Sequence, residues 1–550
     1  MSRFVDTLLS TAAGGGTISG MTTGEPGQPM RRTWAQVHEV GRRMAGALVA
    51  AGVTPGQAVA VLAGDPALIA PAIQAVWLAG GSVTMLHQPT PRTDLAHWAQ
   101  DTLRTLAMID AGLVLLGAPF DGLAGVLDEN GIAHLALDGL DADQQPIGAP
   151  VEVAEDATAL LQLTSGSTAD PKAVRITHGN LIANISAMAE MAKLDPGRDV
   201  MVSWLPLFHD MGMVGFLTLP MVFGVELVKV TPADFLARPL LWPELISKHR
   251  GTLTAAPNFA YAIAGRRMAR VDEDDAFDLS TLRVALNGAE PIDPKAVAAF
   301  TDAGARFGLP PECVLCAYGM AEATLAVSFA PLFTGLAVDE VDAEQLESAR
   351  RAVPARAGAA TRAFPLLGPP LPGIEVRVLD EHGNELGERQ VGALQLRGSS
   401  VTPGYLTTAG PVPTQDEQGW LDSGDEGYLA DGQVVVCGRR KDVIIMGGRN
   451  IYPTDIERAA DSVEGVRAGN AVAVRLDAGT RRERFAVALE SRLAGDAEAE
   501  GALRKAVTAR IMDAVGARPY AVAVLPPGSL PKTPSGKLRR AAAADLIPTS

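Results

Sequence analysis

A hydroxyl-rich loop that ends in a lysine is the strongest local sign of chemistry in this sequence. It spans residues 163–172, LTSGSTADPK, and follows the apolar run ALLQL. Gly166 would let the backbone approach a ligand closely, and Lys172 would neutralise an anion held by the freed N–H groups. The spacing is not that of a Walker A loop, so the loop alone is also compatible with an ordinary Ser/Thr-rich turn. Four side chains add hydroxyl donors: Thr164, Ser165, Ser167 and Thr168.

Six further segments follow the loop in an order and at a spacing that are typical of one enzyme superfamily. They are WLPLFHDMG (204–212), NGAEP (287–291), AYGMAEAT (317–324), GWLDSGDEGYL (419–429), GRRKDVIIMGGRNIYPTDIE (438–457) and LPKTPSGKLRR (530–540). With the loop, these segments resemble the adenylate-forming enzymes, which include acyl-CoA synthetases, luciferases, peptide-synthetase adenylation domains and fatty acyl-AMP ligases. The resemblance covers almost the whole chain and implies that a carboxylic acid is activated with ATP.

The resemblance implies which charged groups would serve such a reaction. A carboxylate and a triphosphate repel each other, so the enzyme must supply cations and fixed geometry. Lys537 matches the lysine that the family places between the acyl carboxylate and the α-phosphate. Glu322 matches the glutamate associated with Mg²⁺, a hard cation that prefers carboxylate and phosphate oxygens. The expected cofactors are therefore ATP and Mg²⁺, with Lys537 and Glu322 as catalytic residues and Glu322 as the metal ligand.

The nucleoside site is also implied by the resemblance. Asp425 would accept hydrogen bonds from the ribose hydroxyls and Arg439 would donate to the ribose, although each alone could belong to a structural ion pair. Tyr318 offers a face on which adenine can stack, and small residues leave room along the backbone. The residues expected to contact the adenine are Gly288, Ala289, Glu290, Tyr318, Gly319 and Met320.

A histidine and several apolar residues are candidates for the acyl side of the site. His209 stands where the family has an aromatic residue or histidine beside the acyl entrance, and it is either a gate that positions the carboxylate or a packed structural residue. A metal role is excluded because no second ligand follows at suitable spacing. An apolar pocket or plain core is formed by Met211, Met213, Phe216, Phe259 and Tyr261.

Two alanines depart from the family pattern. Ala169 and Ala173 replace common glycines of the phosphate loop, and their methyl groups would restrict its movement. This departure leaves open a different class of protein, a nucleotide-binding scaffold with weakened catalysis.

Composition excludes several other classes of protein. The chain has 47 Lys and Arg against 63 Asp and Glu, a net charge of −16, so no nucleic-acid partner is expected. Its 3 cysteines cannot form a disulfide framework, which favours a cytoplasmic location. The segment 66–91 has no charged residue but contains prolines and glycines, so we expect a buried helix and strand and no integral membrane association.

Hydrophobic patterning predicts the elements that position these residues. Residues 34–48 and 66–79 have helical spacing, and VTPGQAVAVLAG (53–64) between them is predicted to be a turn and a strand. SWLPLF (203–208), VELVKV and LTAAP are predicted to be buried strands. The α/β class with doubly wound sheets follows for a large N-terminal domain, 1–440. Within it, 368–440 is predicted as a β-barrel-like subdomain. A small mobile α+β domain is expected over 441–550, with a hinge near Lys441.

Within the superfamily, the resemblance is closest to fatty acyl-AMP ligases. It rests on SWLPLFHDMGMVG, APNFAY, NGAEP, YGMAEAT and GGRNIYPTDIE. The segment 336–364 is longer than acyl-CoA synthetases need, and an insertion here in fatty acyl-AMP ligases is thought to hinder the domain rotation that forms a CoA thioester. The expected function is therefore conversion of a fatty acid to acyl-adenylate, with transfer to the phosphopantetheine thiol of an acyl carrier protein. A long-chain fatty acyl-CoA synthetase is the alternative, with 336–364 as a tolerated surface insertion.

Overall fold

The chain forms two compact units. The computed structural model describes residues 2–90, 93–142, 144–164, 171–446, 449–480, 482–532 and 538–547. The first unit comprises Met1–Ala337, Leu367–Glu375 and Leu396–Leu421, and the second comprises Val338–Leu366, Val376–Gln395 and Asp422–Ser550. The unit that holds the C-terminal residues thus also takes in segments before residue 441. A hinge at Lys441 stays a prediction.

Helices and strands alternate through most of the chain. The strands are β1 (Gly20–Thr23), β2 (Met30–Thr33), β3 (Ala58–Leu62), β4 (Ser82–Met85), β5 (Ala111–Leu116), β6 (His134–Ala136), β7 (Thr158–Thr164), β8 (Lys172–Thr177), β9 (Val200–Ser203), β10 (Glu226–Lys229), β11 (Leu253–Ala256), β12 (Val284–Asn287), β13 (Val314–Gly319), β14 (Ala326–Phe329), β15 (Val338–Asp342), β16 (Thr361–Pro365), β17 (Ile374–Leu379), β18 (Gly392–Gly398), β19 (Gly404–Thr407), β20 (Gly410–Pro413), β21 (Leu421–Ala430), β22 (Gln433–Arg439), β23 (Ile444–Met446), β24 (Arg449–Ile451), β25 (Ala471–Leu476), β26 (Arg484–Glu490) and β27 (Val522–Leu525).

Helices connect these strands. The α-helices are α1 (Arg3–Ala13), α2 (Trp34–Ala50), α3 (Pro66–Leu78), α4 (Leu95–Met108), α5 (Ala124–Glu129), α6 (His178–Met191), α7 (Leu219–Phe223), α8 (Pro232–Ala237), α9 (Leu241–His249), α10 (Asn258–Met268), α11 (Pro294–Ala305), α12 (Ala343–Ala349), α13 (Pro453–Asp461), α14 (Ala497–Val515) and α15 (Arg540–Ala543). A π-helix spans Met211–Thr218. Short 3₁₀ helices span Gly15–Thr17, Asp121–Leu123, Pro311–Cys313, Ala321–Ala323, Arg440–Asp442 and Ala544–Leu546.

The first unit contains two mixed sheets, each with a run of parallel strands. Over the described residues, one sheet has the order β14-β13-β12-β11-β9-β10-β1-β2 and the other the order β20-β19-β8-β7-β4-β3-β5-β6. The neighbours β9, β11, β12 and β13 pair in parallel, as do β4, β3, β5 and β6. Parallel neighbours need crossover connections, which the intervening helices provide. The predicted α/β class with doubly wound sheets is confirmed.

The apolar segment 66–91 folds as a buried helix and strand, as predicted. Asp65 caps α3 by accepting a hydrogen bond from the Ala67 N–H, and all but one residue of α3 are buried. The buried strand β4 follows. No helix in the described part of the chain has both the length and the apolar character required to cross a bilayer.

The predicted strand at 203–208 is wrong in its extent, because β9 ends at Ser203. Pro206 has no N–H to donate to a sheet. The carbonyl of Leu205 instead accepts a hydrogen bond from the ammonium of Lys229, which is buried and also donates to the Val230 carbonyl. Burial lowers the pKa of Lys229 to about 7. The segment after β9 is therefore a buried turn that side chains stabilise.

The second unit is built from smaller sheets. The pair β15 and β16 lies in the long segment noted in the sequence, and β25, β26 and β27 form a three-stranded sheet. Residues of α13 and α14 such as Ile456, Val507 and Ile511 share one apolar core with that sheet. This arrangement confirms the predicted α+β fold near the C-terminus.

The β-rich region after residue 368 forms an open sheet in the described residues, with the order β17-β18-β21-β22, and not a closed barrel. The strands β19 and β20 of this region join a sheet of the first unit, where β19 pairs with β8. The predicted β-rich region is thus present, but within the described part of the chain four of its strands form an open sheet and not the predicted barrel-like shape.

A buried histidine makes the first unit sensitive to acid. His178 is fully buried at the start of α6, and its Nδ1 lies 3.0 Å from the Ser2 hydroxyl oxygen. Burial lowers the pKa of His178 from 6.5 to about 4. Below pH 6.5 the unfolded chain therefore binds a proton that the folded chain does not, so stability falls with pH until about pH 4.

We expect the His178→Gln variant to lose part of this pH dependence. Between pH 7.5 and 5.5, the free energy of unfolding of the wild type should fall by about 1 kcal/mol more than that of the variant. Urea unfolding at both pH values measures the difference. His382→Gln, which replaces a histidine whose side chain is 75% exposed, is the control and should behave as the wild type. Equal pH dependence in His178→Gln and the wild type would contradict the prediction.

Candidate active site

Four motifs follow the carboxyl ends of neighbouring parallel strands in the first unit. WLPLFHDMG follows β9, APNFAY follows β11, NGAEP begins within β12, and AYGMAEAT begins within β13. The strands adjoin in the order β13-β12-β11-β9. Open α/β sheets bind ligands outside the carboxyl ends of their strands. The fold therefore collects these motifs at one edge of one sheet.

The phosphate-loop prediction falls on a hairpin of the other sheet. β7 and β8 are antiparallel, and Thr164 lies opposite Lys172. Four of the predicted residues lie outside the described residues: Ser165, Gly166, Ser167 and Thr168. The Thr164 hydroxyl oxygen is buried and has no hydrogen-bond partner within the described part of the chain. The loop thus begins and ends at adjacent strand positions, with an unsatisfied hydroxyl at one of them.

The two alanines that depart from the family pattern occupy different settings. Ala173 lies inside β8 and is fully buried, with its methyl group in an apolar core that includes Leu161 and Leu163. Its side chain therefore stabilises a strand, and the expectation that it restricts a loop is wrong. Ala169 lies outside the described residues.

Lys172 and Glu322, predicted from separate motifs, lie close together. The Lys172 Nζ is 3.9 Å from the Glu322 Oε1, and the side chains of Lys172 and Glu322 are 31% and 13% exposed. Tyr405 contacts both groups. Its hydroxyl donates a hydrogen bond of 2.6 Å to the Glu322 Oε1, and its ring centroid lies 3.9 Å from the Lys172 Nζ. A cation, a carboxylate and an aromatic ring therefore form one cluster at the end of the hairpin.

His209 is paired with the next residue in the chain. Its Nδ1 lies 2.6 Å from the Asp210 Oδ1, and the Met211 N–H also donates to Asp210. The Met211 N–H also lies 3.3 Å from the His209 Nδ1, so the Asp210 carboxylate and a backbone amide both contact this ring nitrogen.

The predicted pocket residues fall into two groups. Met211, Met213 and Phe216 are buried on the π-helix Met211–Thr218, which Asp210 caps. π-helical turns are rare and often occur at functional sites. Phe259 is half-buried at the start of α10, whereas Tyr261 is packed between Trp242 and Phe300. The Tyr261 hydroxyl donates to the Leu286 carbonyl at 2.8 Å, so this residue is part of the core.

The NGAEP segment connects two parts of the site. Glu290 accepts a hydrogen bond of 2.6 Å from the Phe259 N–H, so its carboxylate holds the first turn of α10. Ala289 has a φ of 68°, a left-handed conformation that costs free energy for a residue with a side chain. Gly288 has little room, since an added Cβ would lie 3.1 Å from the Ala317 carbonyl oxygen. The segment is a tight turn between the strand edge and α10.

The residues expected to stack on adenine lie at the end of the neighbouring strand. Tyr318 is half-buried, and its hydroxyl lies 3.7 Å from the Met320 sulfur. A Cβ at Gly319 would lie 2.2 Å from the Leu325 carbonyl oxygen, so this position requires glycine. Because β12 and β13 are parallel neighbours, Gly288 and Tyr318 follow adjacent strands at the same edge.

In the second unit, Asp425 and Arg439 are directly opposite residues of β21 and β22. The Arg439 Nε lies 3.1 Å from the Asp425 Oδ1, and Arg439 Nη1 donates to the Ser423 carbonyl. Asp425 is buried while nearly half of the Arg439 side chain is exposed. The two residues predicted for the ribose are therefore an ion pair of which Arg439 faces solvent.

Comparisons with known proteins agree with these motifs. A family profile described as AMP-binding enzyme matches residues 21–406, which is more than half of the chain. The chain belongs to the AMP-binding enzyme family. It is 57% identical over 548 residues to the putative ligase Rv1013 of Mycobacterium tuberculosis (strain ATCC 25618 / H37Rv), covering 100% of both chains.

Members of the AMP-binding enzyme family with more specific names are also similar. The long-chain-fatty-acid–AMP ligase FadD26 of Mycobacterium marinum is 36% identical over 436 residues, which cover 75% of this chain and 73% of the relative. A structure solved in a study of fatty acyl-adenylate ligases from E. coli and L. pneumophila aligns with a TM-score of 0.90 and 33% identity. That alignment covers 99% of this chain and 97% of the other. The α/β fold of the adenylate-forming enzymes therefore extends over the whole chain.

Two polar residues that contact the WLPLFHDMG segment were not predicted from the sequence. Gln162, buried on β7, donates from Nε2 to the carbonyls of Phe208 and Leu163. The hydrogen bond to Phe208 connects the β7–β8 hairpin to the WLPLFHDMG segment. His87 packs its ring edge-to-face on Phe208. Burial, with a smaller effect of His209, lowers the pKa of His87 to about 4, so it is neutral at physiological pH. Gln162 could have been noticed as the polar residue in ALLQL, but no local pattern marks His87.

The roles of all the predicted site residues remain predictions, including those of Lys537 and Lys441. Lys537 lies outside the described residues. Lys441 lies in the 3₁₀ helix Arg440–Asp442, and its carbonyl accepts a hydrogen bond from Arg475 at 3.0 Å. The following residue, Asp442, pairs with Arg540 at 3.1 Å. The backbone around the proposed hinge is thus anchored within the second unit.

Proposed function

We propose that the chain activates a fatty acid with ATP, forms an acyl-adenylate and releases pyrophosphate. The observation that carries this proposal is the contact between the β7–β8 hairpin, which contains Lys172, and a buried apolar segment. Gln162 bridges the two through its hydrogen bonds to Phe208 and Leu163. Lys172 is the first residue of β8, directly after the hairpin loop. The apolar π-helix Met211–Thr218 follows Phe208 along the chain. Such a site can bind a triphosphate and an alkyl chain side by side.

The reaction assigns a task to each group. A carboxylate oxygen of the fatty acid forms a bond to the α-phosphorus, and the bond from that phosphorus to the bridging oxygen of pyrophosphate breaks. Lys172 and the hairpin bind the negative triphosphate, and Lys537 offsets the charge that gathers between the carboxylate and the α-phosphate. Asp425 and Arg439 bind the ribose. Binding in one site brings the carboxylate and the triphosphate together, although the two anions would repel each other in water.

Glu322 fits the requirements of a Mg²⁺ ligand. Mg²⁺ in nucleotide sites is typically held by one or two carboxylates, substrate phosphates and water. Within the described residues there is no cluster of three or more side chains that could hold a metal alone. Glu322 is a partly exposed carboxylate 3.9 Å from a lysine, which suits a shared site for a cation and a polyphosphate. Mg²⁺ bound there would neutralise the leaving pyrophosphate.

The long segment between β14 and β17 supports a carrier-protein thiol as the acyl acceptor. It folds as β15, α12 and β16 and packs within the second unit. Arg350 of this segment pairs with Glu426, and Tyr452 donates to Glu426 at 2.9 Å. Phe364 contacts the Tyr452 ring edge-to-face. These contacts join the segment to Glu426, which precedes the proposed hinge, and to Tyr452, which follows it, and they would oppose the rotation needed for CoA.

Product analysis tests the proposed function. The purified chain is incubated with Mg²⁺ATP and radiolabelled fatty acids of several lengths, with CoA, with a phosphopantetheinylated carrier protein, or with neither. We expect acyl-adenylate and pyrophosphate in every case, acyl-carrier thioester with the carrier, and no accumulation of acyl-CoA. Acyl-CoA as the main product would assign the acyl-CoA synthetase alternative. ATP binding without fatty-acid-dependent pyrophosphate release would assign a scaffold and reject the proposal.

A further inference from the structure

Tyr405 is the member of the Lys172–Glu322 cluster that no motif indicated. It lies on β19, far along the chain from both partners, yet it contacts each of them with a different part of its side chain. The hydroxyl donates to the Glu322 Oε1 at 2.6 Å, and the ring centroid is 3.9 Å from the Lys172 Nζ. One aromatic side chain thus contacts both the cation and the carboxylate assigned to the triphosphate and Mg²⁺.

The register of the sheet determines the contact with Lys172. β19 runs antiparallel to β8, with Tyr405 opposite Val174 and Thr407 opposite Lys172. Side chains alternate between the faces of a strand, and directly opposite residues share a face. Lys172, Val174, Tyr405 and Thr407 therefore lie on one face, and Lys172 is the diagonal neighbour of Tyr405. Long and aromatic side chains reach across such a diagonal.

Hydrogen bonds to backbone carbonyls, donated by one N–H and two threonine hydroxyls, determine the contact with Glu322. The Thr402 N–H donates to the Glu322 carbonyl at 2.8 Å, and the Thr324 hydroxyl donates to the Ser400 carbonyl at 2.7 Å. The Thr402 hydroxyl in turn donates to the Arg175 carbonyl of β8. The segment before β19 is therefore fixed to the Glu322 turn and to the hairpin together.

The distances show what Tyr405 does in the cluster. At 3.9 Å, the Lys172 Nζ and the Glu322 Oε1 are too far apart for a hydrogen bond. The negative face of the ring attracts the ammonium, while the hydroxyl occupies one acceptor position of the carboxylate. Without these contacts, Lys172 and Glu322 could close into a direct ion pair, and each would lose a group for binding ligands.

We propose that Tyr405 is a positioning residue that keeps Lys172 and Glu322 separated, so that the ammonium faces the triphosphate and the carboxylate faces Mg²⁺. This inference rests on the proposed function of the site. It predicts that the Tyr405 hydroxyl affects Mg²⁺ binding through the Glu322 carboxylate, whereas the ring affects triphosphate binding through the Lys172 ammonium. The two effects can therefore be separated by substitution.

Two substitutions separate them. Tyr405→Phe keeps the ring and removes the hydroxyl, whereas Tyr405→Leu removes both. Binding of α,β-methylene-ATP, which cannot release pyrophosphate at that bond, is measured by calorimetry with Mg²⁺ and with EDTA. We expect Tyr405→Phe to reduce the gain in affinity that Mg²⁺ provides by about tenfold, the effect of losing one hydrogen bond to a charged group. Binding in EDTA should stay near the wild-type value. Tyr405→Leu should also weaken binding in EDTA by about threefold, through loss of the cation–π contact.

Tyr428→Phe is a matched control. The Tyr428 hydroxyl also donates to a carboxylate, the Asp339 Oδ2, at 2.7 Å, but that pair lies in the second unit and has no proposed ligand. Its substitution should leave the effect of Mg²⁺ unchanged. Thermal melting of all three variants reports folding, and Tyr405→Phe removes only one oxygen atom.

Two outcomes would overturn the proposal. One is a Tyr405→Phe protein whose affinities with Mg²⁺ and with EDTA both equal those of the wild type. The other is an equal loss of affinity in both conditions, which would indicate a general structural role. A wild-type chain that binds no nucleotide, or releases no pyrophosphate with any fatty acid, would instead contradict the proposed function. The two failures are therefore distinguishable.

Discussion

Replacing Lys537 by alanine should lower fatty-acid-dependent exchange of pyrophosphate into ATP by at least about 100-fold, the scale of losing one preorganised charge-stabilising group. The reason is that two anions approach each other during adenylation, and the Lys537 ammonium is assigned to the position where their charge gathers. Transfer of the acyl group from supplied acyl-adenylate to a carrier thiol should survive, because the thiol attacks an uncharged acyl carbon and AMP departs, so the step does not bring a carboxylate and a triphosphate together. The two half-reactions are assayed separately.

A second lysine of the same segment provides the control for Lys537. Lys532 lies in the second unit and donates from Nζ to the Asn470 side-chain oxygen at 2.9 Å. Lys532→Ala removes the same charge but should keep exchange within about twofold of the wild type, as for most surface substitutions. Unchanged exchange in Lys537→Ala would reject its assignment, and a large loss in both variants would indicate a general effect of charge.

Replacing Glu322 by glutamine should lower the kcat/KM of adenylation by about 100-fold, and a higher concentration of free Mg²⁺ should recover part of the rate. Glutamine has nearly the same shape, and its carbonyl oxygen can still accept the hydrogen bond from Tyr405. The substitution therefore removes charge while preserving packing. Initial rates of pyrophosphate release over a series of Mg²⁺ concentrations measure both effects.

An exposed glutamate is the control for this substitution. Glu340 lies on β15 and faces solvent, so Glu340→Gln should leave both the rate and the Mg²⁺ requirement unchanged. A Glu322→Gln protein with the wild-type Mg²⁺ requirement would place the metal elsewhere. A lower rate that no Mg²⁺ concentration improves would assign Glu322 to positioning of Lys172 and not to the metal.

Local sequence patterns predicted most of the regular structure. The helices α2 and α3, the strands β10 and β11, and the α+β elements near the C-terminus lie where hydrophobic periodicity indicates them. This agreement has a physical reason, since each of these elements buries a continuous face or its whole length, and burial leaves a periodic pattern.

The predictions that were wrong concern segments whose partners are distant in sequence. The turn after Ser203 has the composition of a strand, but its Leu205 carbonyl bonds to the side chain of Lys229. Ala173 follows a loop motif directly, yet it belongs to a strand because β7 and β19 pair with β8 on either side. The region after residue 368 lacks a closed barrel because two of its strands join another sheet. In each case, hydrogen bonds between residues that are distant in sequence determine the local structure.

The sequence by itself determined which chemical groups are present: a hydroxyl-rich loop with Lys172, a carboxylate at Glu322, and motifs whose order identifies the family. These features can be predicted from the sequence because neighbouring residues determine where a loop, a turn or a strand end forms. Only the tertiary structure decided that Tyr405 lies between Lys172 and Glu322, and that Gln162 connects the hairpin to Phe208. Those contacts depend on strand register and sheet order, which follow from the packing of the whole unit and leave no local pattern.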